Sequence, residues 1–182
     1  MILNEKDFKI EAVRFAAFLM AESARTAPKA KGEDDIEIVL VYGDEIVKIA
    51  EKMRELARDY GDKNFERDAK SVEKSQAILL IGVRGSKPIG LDCGACGFKS
   101  CKEFQNAERE EGKDFIGPSC VFKILDLGIA LGSAVKLASI MGIDTRIMYR
   151  VGTAARKLKL INADVVMGIP MASLGKNPFF DR

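Results

Sequence analysis

Two kinds of apolar pattern alternate along the chain: stripes recurring every three to four residues, and continuous runs too short for a helix. The first stripe spans about Glu5 to Thr26, with Phe8, Ala12, Phe15, Phe18 and Leu19 on one face. Asn4 stands at its N-cap and Asp7 three residues on, an imperfect capping box. After the loop APKAKGEDD, the nearly unbroken apolar run at 36–42 predicts a strand buried on both sides. Asp44 is read as the cap of a helix whose stripe is Ile46, Ile49, Ala50, Met53, Leu56 and Ala57, closed by Gly61 in the C-terminal position that glycine favours. Residues 64–75 predict a shorter charged helix and Ala77–Val83 a second buried strand. Residues 121–141 read as a helix apolar nearly all round. Its Gly128, Ala130, Gly132 and Ala134 leave room for other backbones to approach, which suits the centre of a fold. A short basic helix at 153–160, a last strand at 165–169 and an irregular tail, GKNPFFDR, complete the pattern.

Helices alternating with buried strands predict an α+β domain whose sheet is covered on both faces, with strand order left open. No repeat or Pro/Ser/Gly-rich linker divides the 182 residues, so the expectation is one domain over 1–182. With 29 basic and 27 acidic residues, the charge gives no long-range attraction to nucleic acid or an anionic membrane. Lys123, Asp126 and Lys136 interrupt the longest apolar stretch, which argues for a buried helix rather than a membrane span. The opening MILNEKDFKIEAVRF breaks any apolar run with charge and does not read as a signal peptide, so a cytoplasmic, reducing compartment is expected.

Histidine is absent, which removes Ser–His and Cys–His couples, histidine metal ligands and imidazole proton shuttles. No phosphate-binding glycine loop or nucleophile elbow appears either. What remains is the four cysteines, all within LDCGACGFKSCKEFQNAEREEGKDFIGPSC as Cys93, Cys96, Cys101 and Cys120. Four thiolates converging on one point suit an iron–sulfur cluster or a zinc ion. Gly94 and Gly97 allow a tight loop with backbone N–H groups aimed at sulfur, and Phe98, Phe104, Phe115 and Ile116 are candidates for an apolar wall; both favour iron and sulfide. A zinc ribbon pairs two C-x2-C knuckles and this chain has one, while disulfides suit a reducing compartment poorly. Cys101 and Cys120 are placed at helix starts, where a thiolate is favoured.

CGACGFKSC with a distant GPSC resembles the four-cysteine, single [4Fe-4S] ferredoxin-type domain of carbon monoxide dehydrogenase/acetyl-CoA synthase and Rnf-type subunits. In those domains proline often follows the fourth ligand, whereas here Pro118 precedes Cys120. Over the whole length, ARTAPKAKG, DLGIALGSAVKLA and GKNPFFDR resemble an uncharacterised prokaryotic family described as containing a ferredoxin domain. More distantly, the order of elements is similar to the FMN-dependent nitroreductase fold, in which a loop after a helix touches flavin and a long central helix builds the dimer. That resemblance implies a nitroreductase-like three-layer domain with the four-cysteine segment, 91–120, inserted in it. The usual Arg-x-Ser-x-Arg helix for the flavin phosphate is missing. Arg25, Lys29, Lys31 and Lys176 are then the candidate FMN phosphate contacts, set against a reading of them as solvated loop charges. Arg156, Lys157 and Lys159 are read as an exposed helix face.

The expected function is electron transfer through a [4Fe-4S] cluster held by Cys93, Cys96, Cys101 and Cys120, to or from a flavin or a redox partner protein, in a homodimer. Two alternatives stand beside it: a zinc-stabilised binding or assembly module, and an FMN-dependent reductase of a small substrate with the cluster as relay.

Overall fold

The computed structural model describes residues 2–180, so Asp181 and Arg182 of the GKNPFFDR tail lie outside the described residues. The elements run α1 (Glu5–Thr26), a single 3-10 turn (Ala30–Gly32), β1 (Ile36–Val41), α2 (Asp44–Tyr60), α3 (Lys63–Val72) and β2 (Ala77–Val83). There follow α4 (Cys101–Gln105), β3 (Glu110–Glu111), β4 (Ile116–Gly117), α5 (Val121–Ile140), β5 (Asp144–Thr145), α6 (Tyr149–Lys157) and β6 (Val165–Ala172). A four-stranded antiparallel sheet has the order β1-β2-β6-β5, and β3 with β4 forms a separate small hairpin. In the sheet Ile36 pairs with Val83 and Val41 with Ile78, while Ala77 pairs with Met171 and Val83 with Val165.

β2 explains why the apolar runs do not alternate. All its residues are buried. Ile78 and Leu80 face a core formed with α2, α3 and α6, and Leu79, Ile81 and Val83 face a second core formed with α1 and α5. Each core takes the alternate side chains on its own side of the pleat, so the strand is apolar on both. The domain is therefore three layers deep: α2, α3 and α6, then the sheet, then α1 and α5.

Several local readings are corrected. Gly43, at φ +66°, takes the cap of α2 and Asp44 is its first residue, its charge at the helix N-terminus rather than in the cap. β6 continues past Gly168 and Pro170, residues that ordinarily stop a strand; β5 pairs only with Met171 and Ala172, so no ladder bond on that side is asked of Pro170. α6 starts at Tyr149 because Gly152 lets the helix lie against β6, where an added Cβ has no room against the Val166 carbonyl. On α1 the stripe Phe8, Ala12, Phe15, Phe18 and Leu19 is the outward face, and the core face is the smaller set Val13, Ala16, Ala17, Met20 and Ala24. α5 is likewise buried on one side only: Ala130, Leu131 and Ala134 face the core, while Leu125, Gly128, Ile129 and Gly132 are exposed. Among the described residues no helix is long and apolar enough to cross a membrane.

Candidate metal centre

The cysteine segment leaves the sheet and returns to it at one point. The Cys120 N–H donates to the Gly85 carbonyl at 2.8 Å, and Gly85 lies so close to Ser119 that a side chain there has no space. Asp164, just ahead of β6, staples this neck. Its carboxylate accepts the Ser86 N–H at 2.9 Å and pairs with Arg109 at 3.0 Å, its carbonyl accepts the Ile116 N–H, and its own N–H donates to Val83. Arg109 also donates to the Ile116 and Pro118 carbonyls, so its guanidinium ties both ends of the hairpin region to the sheet.

Within the segment, Gly94 and Gly97 adopt φ +73° and +89°, and the Gly97 N–H closes a turn on the Gly94 carbonyl at 3.0 Å. The Cys101 N–H donates to Asp92 at 2.6 Å and the Asp92 N–H points back at the Cys101 sulfur at 3.4 Å. Cys120 is buried in a small apolar cluster with Ile89 and Phe104, against which Cys96, Phe98, Phe122 and Ala30 pack; Phe98 and Phe104 meet edge to face at 5.5 Å. Cys101 is half-buried and Cys93 exposed. Cys96 and Cys120 thus share one apolar cluster, while Cys101 is tied to Asp92 at the other end of the same loop. Among the described residues no three Cys, Asp or Glu side chains stand grouped to hold a metal ion. All four thiols are free and histidine is absent, so the donor set is pure thiolate, one that iron–sulfur and structural zinc centres both accept. Of the expected wall, Phe98 and Phe104 are in place. Phe115 packs instead toward the α1/α5 core and Tyr149, and Ile116 faces a cleft.

Three segments far apart in the chain meet beside Cys120. α5 carries two buried charges on the turns after it, the residues that interrupt its apolar run. Lys123, fully buried, pairs with Asp35 at 2.7 Å and donates to the Glu33 carbonyl at 3.1 Å. Asp126 accepts the Ala30 N–H at 2.9 Å. Together they hold the loop 27–35 on the central helix, and Lys31 reaches across it to the Ile89 carbonyl at 3.1 Å, next to the cysteines. Burial raises the Asp35 carboxyl, but hydrogen bonds and attraction from Lys123 and Lys87 outweigh it and hold the group below its ordinary value.

Both Arg25, which is exposed, and Lys29, which is not, are engaged by partners within the loop. Arg25 donates to Asp34 at 2.7 Å and to the Ile36 carbonyl at 2.9 Å. Lys29, with its side chain 7% exposed, donates to the Ala24 and Arg25 carbonyls and lies 3.8 Å from Asp34. Burial raises Asp34 too, and Arg25, the Ile36 N–H and Lys29 more than compensate. Lys176 follows β6 in the tail. A cleft of about 900 Å³ opens between the hairpin and the sheet, walled by Phe98, Phe115, Ile116, Ile124, Val165 and Met167, with Ser119 on its rim next to Cys120. Sequence reading missed this cleft and the buried lysine, since each depends on pairings across the fold.

The architecture defines a nitroreductase-like fold. It is similar to a candidate NADH dehydrogenase/NAD(P)H nitroreductase of Bacteroides thetaiotaomicron (TM-score 0.56, 12% identity, 90% of this chain and 75% of that one). It is also similar to a nitroreductase family protein of Clostridium novyi NT (TM-score 0.53, 15% identity, 87% and 73%) and to the NADPH:FMN oxidoreductase of Vibrio harveyi solved with NAD+ (TM-score 0.51, 15% identity, 92% and 63%). An uncharacterized protein of Archaeoglobus fulgidus is 64% identical over 182 residues, spanning 100% of this chain and 98% of the relative. Residues 116–182, which include Cys120 but not the other three cysteines, match the family described as uncharacterized proteins containing a ferredoxin domain. The chain belongs to that family.

Proposed function

We propose that this protein moves electrons through a [4Fe-4S] cluster held by Cys93, Cys96, Cys101 and Cys120, exchanging them with a flavin or a redox partner protein. The observation that carries the reading is the excursion 86–119. It holds three of the cysteines, closes its neck at the fourth, and packs the half-buried Cys96 and the buried Cys120 against one apolar cluster. A cluster bound there supplies a one-electron carrier, and the phenylalanines beside it limit water at the sulfurs and so set its potential. The family's ferredoxin-domain description supports the same reading. Iron and sulfide analysis of anaerobically purified protein is expected to give about four of each per chain. Zinc in place of iron, without sulfide, would overturn it and leave the assembly-module alternative. Cys96→Ser is expected to abolish the native EPR signal, since a hydroxyl is a poor ligand for cluster iron.

A second reading, an FMN-dependent reductase with the cluster as relay, is favoured by one observation: the ARTAPKAKG loop touches the cysteine segment through Lys31 and Ile89. The neighbour named as an NADPH:FMN oxidoreductase has this fold. An FMN phosphate at Arg25 and Lys29 has to displace Asp34 from both. Saturable FMN binding by wild type that weakens in Arg25→Ala/Lys29→Ala is the expected result; equal binding by both removes these residues from the site. The exposed stripes of α1 and α5 support the homodimer as the working form of either reading.

A further inference from the structure

Of the run Arg156, Lys157, Lys159, read from the sequence as an exposed face, only Lys159 is exposed. The Arg156 side chain is 8% exposed, donates to the Asp114 carbonyl at 3.3 Å, and with Lys157 grips Glu111 of the hairpin. A single carboxylate oxygen, Glu111 Oε1, takes both cations, at 3.1 Å from Arg156 and 2.6 Å from Lys157. These residues line a pocket of about 470 Å³ with Ile116, Lys159, Ile161, Asn162 and Ala163. Lys157 and Arg156 pull the Glu111 carboxyl below its ordinary value, which marks the pocket as a place that prefers an anion.

Cations in the last turn of a helix commonly answer its dipole. That accounts for Arg156 and Lys157 but not for the burial of Arg156, nor for Lys159. Lys159 follows the end of α6 at φ +59°, a left-handed position usually given to glycine or asparagine. There its ammonium makes no hydrogen bond or ion pair among the described residues. Asp114, at the turn of the hairpin, has its carboxylate on Thr153 at 3.0 Å. Two cations therefore share one carboxylate, with the exposed Lys159 on the wall of the same pocket, and that carboxylate is half-exposed and held by charge pairs that compete with water. A phosphate offers more oxygens and more charge to the same donors.

We propose that this pocket binds the phosphate group of a small molecule, and that Glu111 occupies the place the phosphate takes. Binding then releases Glu111 and loosens the hairpin that joins Cys101 to Cys120, which makes the cysteine segment responsive to the ligand. The inference does not depend on which metal the cysteines hold.

The test is calorimetric titration at low ionic strength with inorganic phosphate, pyrophosphate and ribose 5-phosphate into the whole chain and two variants. Wild type is expected to bind saturably. Glu111→Gln, which removes the competing carboxylate, is expected to bind several-fold tighter, and Lys159→Met about tenfold weaker, one charged hydrogen bond being lost. Lys159→Met keeps the strained backbone position and the Glu111 pairs, so it reads the pocket without disturbing the fold. Tighter binding of ribose 5-phosphate than of phosphate identifies an organic ester as the ligand; equal binding identifies the phosphate group alone. Hydrogen exchange at 107–117 is expected to rise with pyrophosphate. Absence of saturable binding in both wild type and Glu111→Gln, or equal affinity in wild type and Lys159→Met, would overturn the proposal.

Discussion

The two helical layers cover the same sheet by different means. On one face, α2, α3 and α6 are amphipathic: large side chains such as Phe65, Ile49 and Met53 point inward, and polar residues fill the outer side. On the other, α1 and α5 turn small residues to the sheet and to each other, Ala16, Ala17, Ala24, Ala130 and Ala134, and keep Phe15 and Phe18, 61% and 56% exposed, outside. The first layer is finished by its own residues. The second offers an apolar outer surface, and its interior holds what the first lacks, a buried lysine paired with an aspartate. An amphipathic layer needs nothing beyond it, whereas a layer apolar on both sides calls for another surface to cover it.

That difference is open to attack from both sides. The largest effect is expected from Lys123→Met, which strands Asp35 with only the exposed Lys87 and should cost about 3 kcal/mol or more in urea unfolding. Hydrogen exchange should show the loss first in the loop 29–35. On the opposite layer Gly152→Ala forces a methyl against the Val166 carbonyl and is expected to cost about 2 to 3 kcal/mol, lifting α6 from β6 while leaving that loop protected. Phe18→Glu and Ile129→Glu touch neither core, so each should change the unfolding free energy by less than about 0.5 kcal/mol, yet convert a dimer to a monomer in sedimentation equilibrium. A monomeric wild type would remove the contrast between the layers. The smallest effect is acid dependence from Asp34 and Asp35. Both are held below their ordinary value of 3.8, so their contribution is complete above it and is lost as the pH falls from there through the lowered folded values. Asp35→Asn should flatten part of that loss.

Much of this layering is legible along the chain because it is local. The bounds of α1 and β2 follow from period and run length, and the confinement of all four cysteines to one segment is plain from their spacing. The outward face of α1 is not legible, because both of its faces are apolar and only packing against α5 chooses between them. The pairing of Lys123 with Asp35 joins residues far apart in sequence, so a charge that reads as an interruption becomes a buried clamp. Arg156 misleads for the same reason, since its burial depends on a hairpin too short to show a strand pattern. At the cysteines, sequence supplies the donors and the glycines; how close the sulfurs come is decided by the loop around Asp92 and Cys101.

The contact of Gly85 with Ser119 and Cys120 sets the topology of everything between them. A stretch whose two ends touch needs only a short bridge to close the chain behind it, so its length is a matter for the stretch and not for the strands it joins. What ties it to the scaffold is its far side, where Glu111, Asp114 and Phe115 lie against α6 and the α1/α5 core. The cysteine half, 86–107, is free to vary in length while the hairpin half is held to the helices.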